Sequence, residues 1–252
     1  MESGQFFRYK KFSSFYYVNT KDTVFAVRQH NGQLIYDGID EAHLKHFLGI
    51  NDNYNKIIKN VETDKVMKGL TKKYHGLRLL RQDPWECTVS YVCSSAANIP
   101  KIQKNVNMLS YHFGRPVKVA GYTSHSFPEP SSMVCLDTIK ECKTGFRANY
   151  LYKLNDALTT KRIEHLTTMN YEDAHNILTQ LPGIGPKVAD CIALFSLGHT
   201  EAFPVDTWIK KIMEKHYFNN KTTANNKIKE FAQDRWGKYA GYAQMFLYME
   251  RN

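Results

Sequence analysis

At 252 residues the chain has room for one large domain or two smaller ones sharing an interface. Its hydrophobic fraction of 42% includes no run long enough to cross a bilayer, and no secretory signal opens it, so an intracellular setting is expected. A total of 34 Lys and Arg against 24 Asp and Glu leaves a net charge of +10, which favours a polyanionic partner such as nucleic acid over a membrane.

Residues 5–38 are rich in Phe, Tyr and Val and broken by turn signals. Phe6-Phe7-Arg8-Tyr9 and Phe15-Tyr16-Tyr17-Val18 read as strands, and Val24–Val27 and Leu34–Tyr36 flank Asn31-Gly32, a strong hairpin signal. From about Glu41 the spacing becomes helical, with Leu44, Phe47 and Leu48 on one face. Pro84 opens a predicted helix over 85–95, and another runs from about Pro100 to Phe113, closing near Gly114. Residues 115–134, with their Gly, Pro and Ser, read as a surface connection. Further helices are expected over 135–142, 147–159, 171–180, 186–197, 207–217 and 224–234, with a last one after Gly241. The fold class is α+β: a small antiparallel sheet over 1–40, then a mostly helical body over 41–252.

The cysteines are Cys87, Cys93, Cys135, Cys142 and Cys191. An odd count without any CxxC argues against a complete disulfide set, and the spacing is too open for zinc or an iron–sulfur cluster. No metal ligand set is expected.

The most informative stretch is Leu181-Pro182-Gly183-Ile184-Gly185-Pro186-Lys187-Val188-Ala189-Asp190-Cys191. A helical pattern stops at Leu181, two glycines turn the chain, and a new helix starts near Pro186. Gly183 and Gly185 permit backbone conformations and close approaches closed to other residues. The N–H groups at the start of the second helix then form a ready phosphate site. This is a helix–hairpin–helix over about 174–197, a device that grips a DNA backbone without reading sequence. An ordinary αα corner would use glycines in the same way.

Lys187 falls in the first turn of the second helix, where the dipole and partial burial should depress its pKa and free a nucleophilic amine. A plain phosphate-contacting lysine fits the position as well. Asp206, in Phe203-Pro204-Val205-Asp206-Thr207-Trp208, precedes the apolar-periodic Trp208, Ile209, Ile212 and Met213 and would serve as an N-cap whether or not it faces Lys187.

The hairpin followed by Pro204-Val205-Asp206 resembles the helix–hairpin–helix glycosylase superfamily, and within it the 8-oxoguanine DNA glycosylases. Ser3–Arg8, Leu79–Pro84, Thr144–Tyr150 and Trp236–Gln244 match that family in its order along the chain. The resemblance implies a bifunctional DNA glycosylase and abasic-site lyase of base excision repair. Lys187 would attack the sugar C1′, and Asp206 would stabilise the positive charge developing there. Around the flipped base, Gly4 would accept the N7–H peculiar to 8-oxoguanine and Gln244 would bond the Watson–Crick edge. Cys191 and Tyr248 would sandwich the faces, although the family more often carries Phe where Tyr248 stands. Phe146 would wedge into the gap, with Arg147 on the orphaned base. The implied partner is double-stranded DNA bound by a monomer. No cofactor is implied, and the only ion the resemblance allows is a structural cation at the hairpin carbonyls.

Two departures stand out. Where the family carries consecutive asparagines and often an arginine to read the opposite cytosine, this chain has Ala96, Ala97, Asn98 and Lys101. Alanine cannot hydrogen-bond a base and lysine lacks the planar fork of arginine, so discrimination among opposite bases should be relaxed. Met1 also lies only three residues before Gly4, so either the sheet domain has lost a first strand or the recorded start is late, and a loosely held Gly4 is expected. Three other readings compete. An alkylated-base glycosylase would lack the hairpin lysine, an endonuclease III-like enzyme would carry four cysteines after Asp206, and a non-catalytic module would need only the hairpin.

Overall fold

The computed structural model describes residues 1–251. Asn31 and Gly32 both take positive φ, the twist a two-residue hairpin needs, and join β3 (Thr23–His30) to β4 (Gln33–Asp37). With β1 (Tyr9–Phe12) and β2 (Phe15–Thr20) they form a four-stranded antiparallel sheet in sequential order. One face is buried: Val18, Phe25 and Val27 pack with Phe6, Leu44, Phe47 and Leu80 into a small separate core.

The segment before β1 differs from expectation. Phe6-Phe7-Arg8 is not strand, since pairing begins only at Tyr9. Phe6 enters the sheet core and Phe7 the helical core, so the segment stitches the two together. Gln5, just before it, is fully bonded inside. Gln5 donates to the Arg78 carbonyl (2.8 Å) and accepts from the Leu80 N–H (2.9 Å), and the Gln5 carbonyl accepts from Gln82 (2.7 Å) and Tyr91 (3.0 Å). Arg8 forms a buried pair with Glu86 at 3.2 Å. Gly4 is thus followed by an anchored stretch, not by a loose end.

The helical body comprises α1 (Glu41–Phe47), α2 (Tyr54–Val61), α3 (Lys65–Lys73), α4 (Pro84–Ser94) and α5 (Ile99–Phe113). It continues with α6 (Leu136–Glu141), α7 (Ala148–Ala157), α8 (Thr160–Leu166), α9 (Tyr171–Thr179) and α10 (Pro186–Ser196). It ends with α11 (Thr207–Tyr217), α12 (Asn225–Trp236) and α13 (Ala240–Tyr248). Helix α4 begins as its sequence dictates, with the Asp83 carboxylate accepting the Glu86 N–H and Pro84 in the first turn. Helices α4, α10 and α13 are buried along most of their length and form the centre of the large core.

Residues 115–134 are more than a surface connection. β5 (Pro116–Val119) and β6 (Tyr122–His125) form a second hairpin, turned by Ala120-Gly121 at positive φ, and it packs against the sheet layer. The Tyr17 and Tyr122 ring centroids lie 4.8 Å apart.

Candidate active site

The sharp turn between α9 and α10 brings the site together. Gly183 has φ +78° and sits against Tyr150, where a Cβ would come within 2.7 Å of the tyrosine Cβ, so only glycine fits. Gly185 is the N-cap of α10, extended and exposed, with nothing within 4 Å of the place a Cβ would take. One glycine therefore serves the fold, and the other keeps a backbone open to whatever approaches the helix N-terminus.

Lys187 and Cys191 lie one turn apart on the same face of α10. Asp206 caps α11, its Oδ1 accepting the Ile209 N–H at 2.7 Å. Gln244 and Tyr248, also four residues apart, share a face of α13. Gly4, at φ +87°, completes the wall beside Tyr248. These six residues line one narrow cavity of about 40 Å³, together with Tyr91, Phe195, Pro204 and Met245. The cavity opens into a groove of about 780 Å³ that runs past Ala96, Asn98, Asp206 and Trp208. At about 40 Å³ the cavity is too small for a base. Cys191 is fixed in the core, whereas Tyr248 is only partly buried, with the Arg251 guanidinium 4.0 Å from its ring centroid.

The Gln244 amide is the most telling group. It is 5% exposed; its Nε2 donates to the Pro204 carbonyl at 3.3 Å, and its Oε1 has no partner. An unmet buried acceptor costs about 1–3 kcal/mol, and a ligand N–H would relieve that cost.

Lys187 departs from the electrostatic expectation. Burial pulls its pKa down, but negative charge at Cys191, Asp206 and Tyr248 outweighs that pull and raises it above the ordinary lysine value. Burial pushes the Cys191 thiol up to about 11 and raises the Tyr248 phenol. Asp206 is the one carboxylate among the residues that line the cavity. The ammonium also lies 5.5 Å from the Tyr91 ring centroid. The amine waits protonated and must lose its proton in the complex.

The residues expected at the opposite strand are divided. Phe146 is 59% exposed and projects as a wedge would. Arg147, only 5% exposed, turns inward in the free protein and donates to the carbonyls of Ser95 (2.7 Å), Thr144 (2.9 Å) and Ala96 (3.1 Å). It braces the 95–97 loop, where Ala96 is held at φ +50°. Asn98 is exposed, but its Oδ1 caps α5 by accepting the Lys101 N–H at 3.0 Å, and Lys101 is partly buried beside it.

Trp208 escaped the sequence reading, which placed it on the buried face of α11. It is 48% exposed on the groove, while Ile209, Ile212 and Met213 take the interior. Tyr91 and Phe195, ring-stacked behind Lys187, carry no sequence signal that separates them from core.

Residues 1–88 match the family model described as 8-oxoguanine DNA glycosylase, N-terminal domain. The probable N-glycosylase/DNA lyase of Methanothermobacter thermautotrophicus is 30% identical over 208 residues, 73% of this chain and 66% of that one. An N-glycosylase/DNA lyase of Arabidopsis thaliana is 34% identical over 197 residues, 71% of this chain and 53% of that one. The chain therefore aligns with between about half and two thirds of these curated relatives' lengths. The solved 8-oxoguanine glycosylase/lyase of Clostridium acetobutylicum, in complex with double-stranded DNA containing cytosine opposite the lesion, superposes with a TM-score of 0.93 at 30% identity, over 99% of this chain and 89% of that one. The chain belongs to the 8-oxoguanine DNA glycosylase family of the helix–hairpin–helix superfamily.

Proposed function

We propose that the protein excises 8-oxoguanine from duplex DNA and then cleaves the resulting abasic site, acting wherever the cell keeps its DNA. The observation that carries this reading is the single cavity where Lys187, Asp206, Cys191, Tyr248, Gly4 and the unmet Gln244 acceptor converge. A flipped guanine-type base offers N–H donors on its Watson–Crick edge to Gln244 and flat faces to Cys191 and Tyr248. The Lys187 amine becomes neutral by giving up a proton that ends on the departing base, so Asp206 stays an anion. The Lys187 Nζ then forms a bond to C1′ as the C1′–N9 bond breaks, and the N9 electron pair leaves with the base. The aminal opens to an imine, a C2′ proton is lost, and the C3′–O bond breaks in β-elimination. Asp206 favours the step by holding negative charge where positive charge develops.

The opposite base is read loosely in this account. Ala96 and Ala97 offer no side-chain hydrogen bonds, Asn98 is engaged as a cap, and Arg147 spends its donors on carbonyls. A bidentate base contact carries about 1–3 kcal/mol of discrimination, and no such arginine contact is left over. Release of 8-oxoguanine from duplexes pairing it with each of the four bases should vary within about tenfold. A cytosine preference above a hundredfold would overturn the relaxed reading, and no release from any duplex would overturn the activity itself.

A further inference from the structure

Much of the net charge of +10 lies away from the groove. Helices α2 and α3 expose Lys56, Lys59, Lys65, Lys68, Lys72 and Lys73, none of which lines the groove or the cavity. Among the described residues none of the six forms an ion pair with a carboxylate. The two acids that join these helices are already engaged. Glu62 accepts from the Thr71 hydroxyl at 2.5 Å, and Asp64 from Arg235 at 2.7 Å and Tyr217 at 3.1 Å.

On α3 the positive charge is ordered. Lys65, Lys68 and Lys72 follow one another at helical spacing, while Met67, Leu70 and Thr71 fill the buried face. Gly69 sits within the lysine row, exposed, with nothing within 4 Å of the place a Cβ would take. A mid-helix glycine costs about 1 kcal/mol relative to alanine, and no packing or unusual backbone angle here requires one. Its effect is to let a rigid surface approach the helix between the lysines.

We propose that the Lys65–Lys68–Gly69–Lys72 face of α3 is a second, non-catalytic surface for the phosphate backbone of duplex DNA. From Lys65 to Lys72 the helix rises about 10 Å, about three phosphate spacings of one strand measured along the duplex axis. Duplex DNA is the occupant because the groove works on the same polymer, and to that extent the proposal rests on the reading above. The surface holds the protein on undamaged DNA while the groove samples bases.

The test is a Lys65→Gln/Lys68→Gln/Lys72→Gln variant, since glutamine keeps the helix propensity and removes the charge. Binding to an undamaged duplex of about four turns is measured against salt concentration. The slope of log affinity against log salt should become shallower by about 2–3, at about 0.9 for each phosphate that the variant no longer neutralises. Single-turnover release of 8-oxoguanine at saturating protein should stay at the wild-type rate. An unchanged slope overturns the proposal, and so does an equal loss of excision rate, which would make the lysines part of the groove. If duplex binding is untouched while binding to anionic phospholipid vesicles is lost, the face belongs to a membrane and the proposal fails. The slopes are read without turnover, so failure of excision in the wild-type protein would be a separate result.

Discussion

Asp206 both caps a helix and holds charge beside an amine, and the two roles can be pulled apart. Asparagine caps as well as aspartate, so Asp206→Asn leaves α11 intact and removes only the charge. Base excision should fall by at least about a hundredfold, because nothing then stabilises the cationic sugar. The lyase step on a preformed abasic site needs only the neutral amine. Removing the anion lowers the raised Lys187 pKa, so the neutral fraction at any given pH increases and the rising limb of the lyase pH profile should move to lower pH. A limb that moves upward or stays in place would contradict the charge assignment. Gln244 permits a similar separation. Replacing it with leucine removes a buried acceptor that has no partner but also the donor to the Pro204 carbonyl, so thermal stability should change little while 8-oxoguanine excision falls at least about tenfold. A variant that loses stability and activity together would make Gln244 a core residue. Lys187, Asp206, Cys191 and Gln244 stood out in the sequence through the resemblance to the glycosylase family, and the fold brings them to one cavity. Trp208 did not: helical periodicity assigns an apolar residue to the interior and cannot register that a groove opens beside it.

At the scale of elements, the two hairpin glycines make opposite predictions. Gly183→Ala forces an L-residue to φ +78° and drives a Cβ into Tyr150, which should cost about 1–2 kcal/mol of stability or more. Gly185→Ala meets neither strain nor contact in the free protein and loses only the better N-cap, so its melting temperature should fall less than that of Gly183→Ala while duplex affinity drops. Equal melting losses in both variants would deny Gly185 its place at a DNA backbone. The same contrast between local signal and context explains which elements could be read. Asn31-Gly32 announces its turn, and Asp83-Pro84 announces α4, because each fixes its backbone locally. The β5–β6 hairpin was hidden by strands of four residues around an Ala-Gly turn, and its packing partner lies about a hundred positions earlier. Phe6-Phe7-Arg8 reads as strand by composition, yet its two rings enter different cores, a choice only the assembled fold can impose.

For the molecule as a whole, the architecture assigns one task to each part. The sheet layer and the N-terminal segment anchor Gly4, α10 presents the amine, α11 presents the carboxylate, and α13 supplies the polar end of the base pocket. A cavity of about 40 Å³ has no room for a base, so entry of a flipped base requires the lining to move. The central claim is that Lys187 becomes covalently joined to DNA, and reductive trapping tests it most directly. A duplex carrying 8-oxoguanine, incubated with the protein and borohydride, should yield an adduct at the combined mass of protein and DNA strand. Peptide mapping should place the adduct on Lys187, and Lys187→Gln should give none. Base release without any adduct, or an adduct that persists in Lys187→Gln, would contradict the account.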